Sequence, residues 1–239
     1  MLAAAVIAVP GTALLSQRGG VPGRGGELRT YGPDRRDWTD NADRTAEGGF
    51  RMGNPNARVK LVEYISLTCE HCAAFAAHGL PRLLENYVQH GEVSLEFRNY
   101  YRDGVDIAAA LLSRCAEPRP YFDFTYALYA QQRQWMGRVA AITPAQRQEI
   151  ASLPPLAVAG RIVPLLGLDE IGAHYGVTPS RRQACFTQAG LDQLQAMHDA
   201  AVAQGVTATP AFFINGVKQE ATEWTALEPL IRAAQAQAH

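Results

Sequence analysis

Residues 59–76, VKLVEYISLTCEHCAAFA, decide how the rest of the chain is read. An apolar run rich in β-branched residues, 59–67, stops at Thr68-Cys69-Glu70-His71-Cys72, and helix formers follow at Ala73, Ala74, Phe75 and Ala76. Strand, C-x-x-C and helix in that order place two thiols at a helix start, with Cys69 outermost. Unpaired N–H groups and the positive end of the helix dipole then face its sulfur and favour the thiolate. A protonated His71 would add a second positive neighbour. A thiolate near neutral pH, with a partner thiol three residues on, can open and re-form disulfides. One competing reading is half of a zinc site. A zinc ribbon needs a second close pair, however, and Cys115 and Cys185 stand alone. Two inert cysteines are the other alternative.

Around this stretch, the 239-residue chain, 47% apolar and 19% charged, has the make-up of a folded globular protein. That length gives room for one well-buried domain of about 180 residues plus extras. A formal net charge of −1, with both signs spread along the chain, argues against nucleic acid as a partner. Four cysteines are too few for a disulfide-stapled scaffold but can form two specific pairs.

Beyond the motif, Pro81 kinks or ends the helix. Residues 93–98 (VSLEFR) alternate like a strand. Two strands around one helix, with no room for a hairpin, make a parallel βαβ unit. From 104 to 204 the pattern becomes helical, with Ala-rich apolar periodicity in 107–115, 121–135 and 191–202. Thr143-Pro144 and Thr178-Pro179 mark helix starts, and Thr143 with Gln146 has capping-box spacing. Residues 211–214 (AFFI), Asn215-Gly216 and 217–219 form a hairpin signal, and 222–238 read as a closing amphipathic helix. Before the motif, residues 1–17 carry no charged side chain and are expected to be a signal peptide or membrane anchor. Pro10-Gly11 interrupts that run and no basic residue precedes it, so a disordered or packed N-terminal helix stays open. Residues 18–52, rich in Gly and Arg, read as a flexible linker in which Tyr31, Trp38 and Phe50 stand out.

This order, β-α-β, a helical block, then β-β-α, with CEHC at the first strand-to-helix junction and Thr209-Pro210 before the hairpin, resembles the DsbA family of thiol:disulfide oxidoreductases. Cys72 and Pro210 lie 138 positions apart (210 − 72), and the two motifs together carry the resemblance. It implies an α/β, thioredoxin-like fold with an inserted all-helical domain: 53–103 and 205–239 form the thioredoxin-like domain, and 104–204 the insertion. It further implies that Cys69 is the reactive cysteine, Cys72 the buried resolving thiol and His71 the residue that tunes the first thiolate. Pro210 would be cis beside the disulfide, and Thr209 would offer its backbone to a substrate strand. An ordinary strand-start proline is the alternative for Pro210. Glu63 falls where the family carries a buried acid that exchanges protons with the resolving cysteine, and Arg98 on the next strand is its candidate partner. Glu63 pointing outward at a strand edge is the alternative. Glu70 departs from the family, where proline is usual. Its charge disfavours the Cys69 thiolate by about 1 kcal/mol, which makes the pair less oxidising by about 20 mV.

Cys115 and Cys185 resemble the second disulfide of some alphaproteobacterial members, with two separate buried thiols as the alternative. His78, His90, His174 and His198 lack ligand spacing and read as surface or helix-capping residues, so neither metal nor cofactor is expected. The resemblance also implies a monomeric periplasmic oxidase that acts on reduced exported proteins and is reoxidised by a membrane quinone-linked thiol oxidase of the DsbB type. A reductase or isomerase of the same fold, or a peptide-binding chaperone with a structural disulfide, are the competing functions.

Overall fold

The computed structural model describes residues 37–237. Its six strands are β1 (Ala42–Arg44), β2 (Phe50–Gly53), β3 (Val59–Ile65), β4 (Val93–Asn99), β5 (Ala211–Ile214) and β6 (Val217–Gln219), in sheet order β1-β2-β4-β3-β5-β6. Only β3 and β4 run parallel, and the remaining pairs are antiparallel. The expected signal or anchor, 1–17, and residues 18–36 lie outside the described residues. The rest of the expected linker is not a linker. A 3-10 turn at Trp38–Asp40 leads into β1, and β2 pairs along β4 in the register Phe50↔Phe97 and Met52↔Leu95. Phe50 and Met52 are fully buried. Two inward apolar positions in strands of three and four residues leave too short a period to read from sequence.

Alternation sorts the sheet into two faces. Met52, Leu61, Ile65, Leu95, Phe97 and Phe212 point into the main core, and Glu63 shares that face between Leu61 and Ile65. Tyr64, Ala211 and Phe213 point the other way and pack with Ala201 and Val206.

Helix α1 (Glu70–His78) follows β3 and gives way at Gly79 to α2 (Leu80–Leu83), which has Pro81 in its first turn, and to a π-helical turn over Leu84–Val88. A Cβ on Gly79 would lie 2.5 Å from the Phe75 ring, so the break needs a glycine. Between β4 and β5 come α3 (Gly104–Ser113), α4 (Pro118–Ala130), α5 (Gln132–Gly137), α6 (Pro144–Ala151), α7 (Pro155–Leu165), α8 (Leu168–Ala173), α9 (Pro179–Cys185) and α10 (Gln188–Ala203). Side chains of Asp103, Thr143, Thr178 and Thr187 cap α3, α6, α9 and α10, and Thr143 with Gln146 closes a full capping box. After β6, α11 (Trp224–Gln237) buries Trp224, Leu227 and Ile231, a stripe at helical spacing.

Cys115, just past α3, is bridged to Cys185 at the end of α9 across 70 positions of sequence. Beside the bridge, Arg181 Nε donates to the Cys115 carbonyl at 2.6 Å. The β1–β2 hairpin is tied to the same region. Phe50 stacks on Tyr121 with ring centroids 3.7 Å apart, and the Arg44 guanidinium lies 4.3 Å from its centroid. Arg114, buried, donates to the Gly48 carbonyl at 2.9 Å and to Gln193 Oε1 at 2.6 Å. Among the histidines, His78, His90 and His174 are exposed, but His198 corrects the expectation of a surface or capping role. Its ring stacks on Tyr100 at 4.5 Å and on Tyr101 at 4.2 Å, pairs formed between α10 and the segment after β4.

If the hairpin is part of the fold, Phe50→Ala should cost about 3–5 kcal/mol of unfolding free energy, the range for a large core aromatic. Denaturant melts of the two proteins would measure it. A change near zero would return residues 42–53 to the status of a dispensable extension.

Candidate active site

Strand β3 delivers the chain to a turn at residues 66–69, and α1 begins there. The Cys69 N–H donates to the Ser66 carbonyl at 3.1 Å, which closes the turn. Cys69 is the N-cap, with extended backbone (φ −83°, ψ 122°), and its own carbonyl accepts the first helical hydrogen bond from Ala73 at 3.1 Å. Its sulfur therefore stands beside the unpaired N–H groups of the first turn. Cys69 is 4% exposed and Cys72, one turn inside, 0%. Neither is bridged.

On the far side of the sulfur lies the segment that enters β5. Cys69 Sγ donates to the Thr209 carbonyl at 3.2 Å, and the Thr209-Pro210 peptide is cis. The Thr209 hydroxyl is buried and has no other partner, so it is free to donate to a thiolate. These groups lower the Cys69 thiol to about 5. The Cys72 thiol contributes most, followed by the Thr209 side chain and the backbone N–H groups of Cys72 and His71, all working against burial. His71 thus acts through its backbone, while its side chain is exposed. The expected imidazolium beside the sulfur is not among these groups.

Cys72 is pushed the other way. Burial raises it most, its hydrogen bond to Cys69 adds to this, and the negative charges of Glu63 and Cys69 add further. Glu63 is 2% exposed, with Oε2 unpartnered, and burial together with the Cys69 charge raises its carboxyl well above the usual range. Arg98 does not pair with it. The parallel register sets Glu63 opposite Phe97 and Tyr64 opposite Arg98, so Arg98 extends from the other face. There its Nε donates to Glu96 Oε1 at 2.8 Å. Burial with no cation beside it favours the neutral form of this acid.

A further set of residues surrounds the turn. Asp106 on α3 accepts from Ser66 Oγ at 2.6 Å and from the Leu67 N–H at 2.9 Å. Tyr129 of α4 donates to the Ser66 carbonyl at 3.2 Å. Gln132 of α5 donates to the carbonyls of Leu67 and Cys69, at 2.8 and 3.0 Å. Arg102 donates to the Thr68 carbonyl at 2.6 Å. All four carbonyls of the turn are therefore occupied, each by a side chain from outside it. Sequence reasoning missed these residues. Their one local signal, Asp103 and Asp106 at capping spacing, marks a helix start and nothing more. Beside His71 a hollow of about 410 Å³ opens between α1 and the start of α11, lined by Ala74, Phe75, Gly79, Thr222, Trp224 and Thr225. Among the described residues, no cluster of three or more His, Cys, Asp or Glu could hold a metal ion.

Comparison with known proteins bears on this geometry. A family model described as thioredoxin matches residues 45–233. The crystal structure of a protein-disulfide isomerase from Novosphingobium aromaticivorans is 32% identical, with a TM-score of 0.71 over 77% of this chain and 96% of that one. Wolbachia pipientis alpha-DsbA1, 24% identical with a TM-score of 0.62 over 82% of this chain and 94% of that one, shares the fold. A Rickettsia bellii protein named as a protein-disulfide oxidoreductase is 24% identical over 177 residues, 73% of this chain and 60% of that protein. The chain thus spans less than two thirds of that relative's length.

The unequal sulfurs predict how stability follows pH. In the reduced protein the Cys69 thiol lies near 5, against about 8.5 in an unfolded chain. The folded state then binds fewer protons between those values, so its stability rises with pH through that window. The gain is complete above about 8.5 and is lost as pH falls through about 5, each pH unit of the window contributing about 1.4 kcal/mol at most. Glu63, raised in the fold, acts in the opposite sense: its burial is common to both redox forms and cancels in their comparison, while the part due to the Cys69 charge exists only in the reduced form and subtracts from the gain. Denaturant melts of reduced and oxidised protein at about pH 5 and about pH 8 should show the reduced form gaining on the oxidised one at the higher pH. A constant difference would mean that Cys69 is not a stabilised thiolate.

Proposed function

Since the chain belongs to the thioredoxin family and has the helical insertion of the DsbA type, we propose that it is a thiol:disulfide oxidoreductase that donates a Cys69/Cys72 disulfide to protein substrates. The observation that carries this reading is the asymmetry of the two sulfurs. A low thiol pKa at Cys69 makes it a good leaving group, and a high one at Cys72 makes its released thiolate quick to take a proton.

In the proposed reaction a substrate thiolate attacks Sγ of Cys69 in the oxidised protein. The Cys69–Cys72 bond breaks, and its electron pair leaves with Cys72, which takes a proton from the Glu63 carboxyl. A mixed disulfide now joins substrate and Cys69. A second substrate thiol, deprotonated, attacks the substrate sulfur of that bond and expels Cys69 as the stabilised thiolate. The substrate has lost two electrons and two protons; the protein holds the electrons as the Cys69 thiolate and the Cys72 thiol, and of the two protons one restores the Glu63 carboxyl and the other goes to solvent. The Thr209 carbonyl lies against Cys69, where an extended substrate segment would reach the sulfur, and the hollow beside His71, lined by Phe75 and Trp224 but also by Arg82 and Glu223, offers a place for flanking side chains.

The proposed setting is the bacterial periplasm, with newly exported proteins as substrates and a membrane quinone-linked oxidase of the DsbB type as the electron acceptor, the protein acting as a monomer. No helix among the described residues is long and apolar enough to cross a membrane. A second reading, disulfide isomerisation, is favoured by the name of the Novosphingobium aromaticivorans relative. Isomerisation needs the same Cys69 thiolate but works from the reduced form.

Refolding of a reduced disulfide-containing protein by the oxidised chain tests the reading. Cys69→Ser should abolish oxidation, and Cys72→Ala, offered a disulfide-bonded substrate, should accumulate a mixed disulfide through Cys69, which displaces one substrate sulfur and has no second thiol to release it. Undiminished activity in Cys69→Ser would leave only a binding role. A reduced form less stable than the oxidised one at neutral pH would reverse the direction of transfer.

A further inference from the structure

Asp106, the third residue of α3, is 1% exposed and takes no part in the exchange proposed above. A buried carboxylate is costly to hold without compensation. Here the compensation is three hydrogen bonds: to Oδ2 from Ser66 Oγ at 2.6 Å and from the Arg102 N–H at 3.1 Å, and to Oδ1 from the Leu67 N–H at 2.9 Å. Two of these donors belong to the turn that ends at Cys69, and the third to the loop leaving β4. The two backbone N–H groups would be orphans without an acceptor at that place, whereas Ser66 Oγ also lies 3.2 Å from Thr68 Oγ1.

The contacts pass directly to the reacting residue. Ser66, held by its hydroxyl, accepts the Cys69 N–H through its carbonyl, so the first residue of the turn locates the last. Arg102, held by its backbone, donates its side chain to the carbonyl and hydroxyl of Thr68, the residue before Cys69. The N–H groups at a helix start favour an anion only within the first turn, where a small displacement removes much of the effect. From this geometry we infer that Asp106 is a positioning residue: it holds the turn so that the Cys69 sulfur stays against the first N–H groups of α1 and the Thr209 side chain. This rests on Cys69 being the reactive thiol.

The test is a pH titration of thiolate ultraviolet absorbance in the reduced full-length protein, compared with Asp106→Asn, Asp106→Leu and Ser66→Ala. Asp106→Asn keeps the shape, but whichever way its amide turns, at least one backbone N–H loses its acceptor. The sign is diagnostic. Removing a negative charge near a thiol would, by itself, lower its pKa, whereas losing the position of the sulfur raises it. Asp106→Asn should therefore raise the Cys69 midpoint by about half a pH unit or more, with a larger rise in Asp106→Leu and a smaller one in Ser66→Ala. If Asp106→Leu does not fold, the other two variants decide the matter. A midpoint unchanged or lowered in Asp106→Asn and Ser66→Ala, with melting temperatures of both redox forms reduced alike, would leave Asp106 a structural residue and overturn the inference. A wild-type midpoint at the ordinary thiol value would instead overturn the reading of Cys69 itself, and the inference with it.

Discussion

Two sulfurs three residues apart are held in opposite electrostatic surroundings, and most of the molecule serves that contrast. Cys69 meets donors on every side: the Cys72 thiol, the Thr209 side chain and the first N–H groups of α1. Cys72 meets apolar core and negative charge. A sulfur at a helix N-terminus next to one in the core is a geometry that a strand followed directly by a helix supplies. The strand enters the core and the helix leaves it, so the last residue before the helix is at the rim and the next turn inward is buried.

Holding that junction still falls to residues that a minimal strand-helix-strand unit does not contain. Backbone groups in a buried turn need partners, and here they come largely from the helices between β4 and β5. Tyr129 and Gln132 satisfy carbonyls, Asp106 satisfies an amide and a hydroxyl, and Arg102 closes the remaining carbonyl. The insertion thus faces the turn that ends at Cys69 with fixed hydrogen-bonding groups. It is itself fixed at its far side by the Cys115–Cys185 bridge and by the hairpin whose Phe50 packs on Tyr121.

Glu63 shows how the same sheet keeps proton and charge apart. The parallel register that makes β3 and β4 neighbours also sends Arg98 to the opposite face, where Glu96 neutralises it. Had the arginine reached Glu63, the carboxyl would be ionised and would have no proton to give. With no cation beside it, burial favours the neutral acid, the form that the proposed exchange calls on.

Local signals determined much of this protein from sequence alone. The C-x-x-C at a strand-to-helix junction, the Thr-Pro helix starts and the Asn-Gly hairpin each depend on neighbours within a few residues, so they can be read along the chain. Fold class follows from the order of such elements. What depends on distant partners could not be read this way. The β1–β2 hairpin is too short to show a period and becomes strand only because Phe50 and Met52 pair along β4 and pack on α4. Whether Glu63 meets Arg98 is decided by which face each strand turns inward. The ring of Asp106, Tyr129, Gln132 and Arg102 comes together only when the helical block folds back on the turn. A hydrogen bond between residues 40 to 65 positions apart leaves no mark on the local pattern of either, and tertiary structure alone decides it.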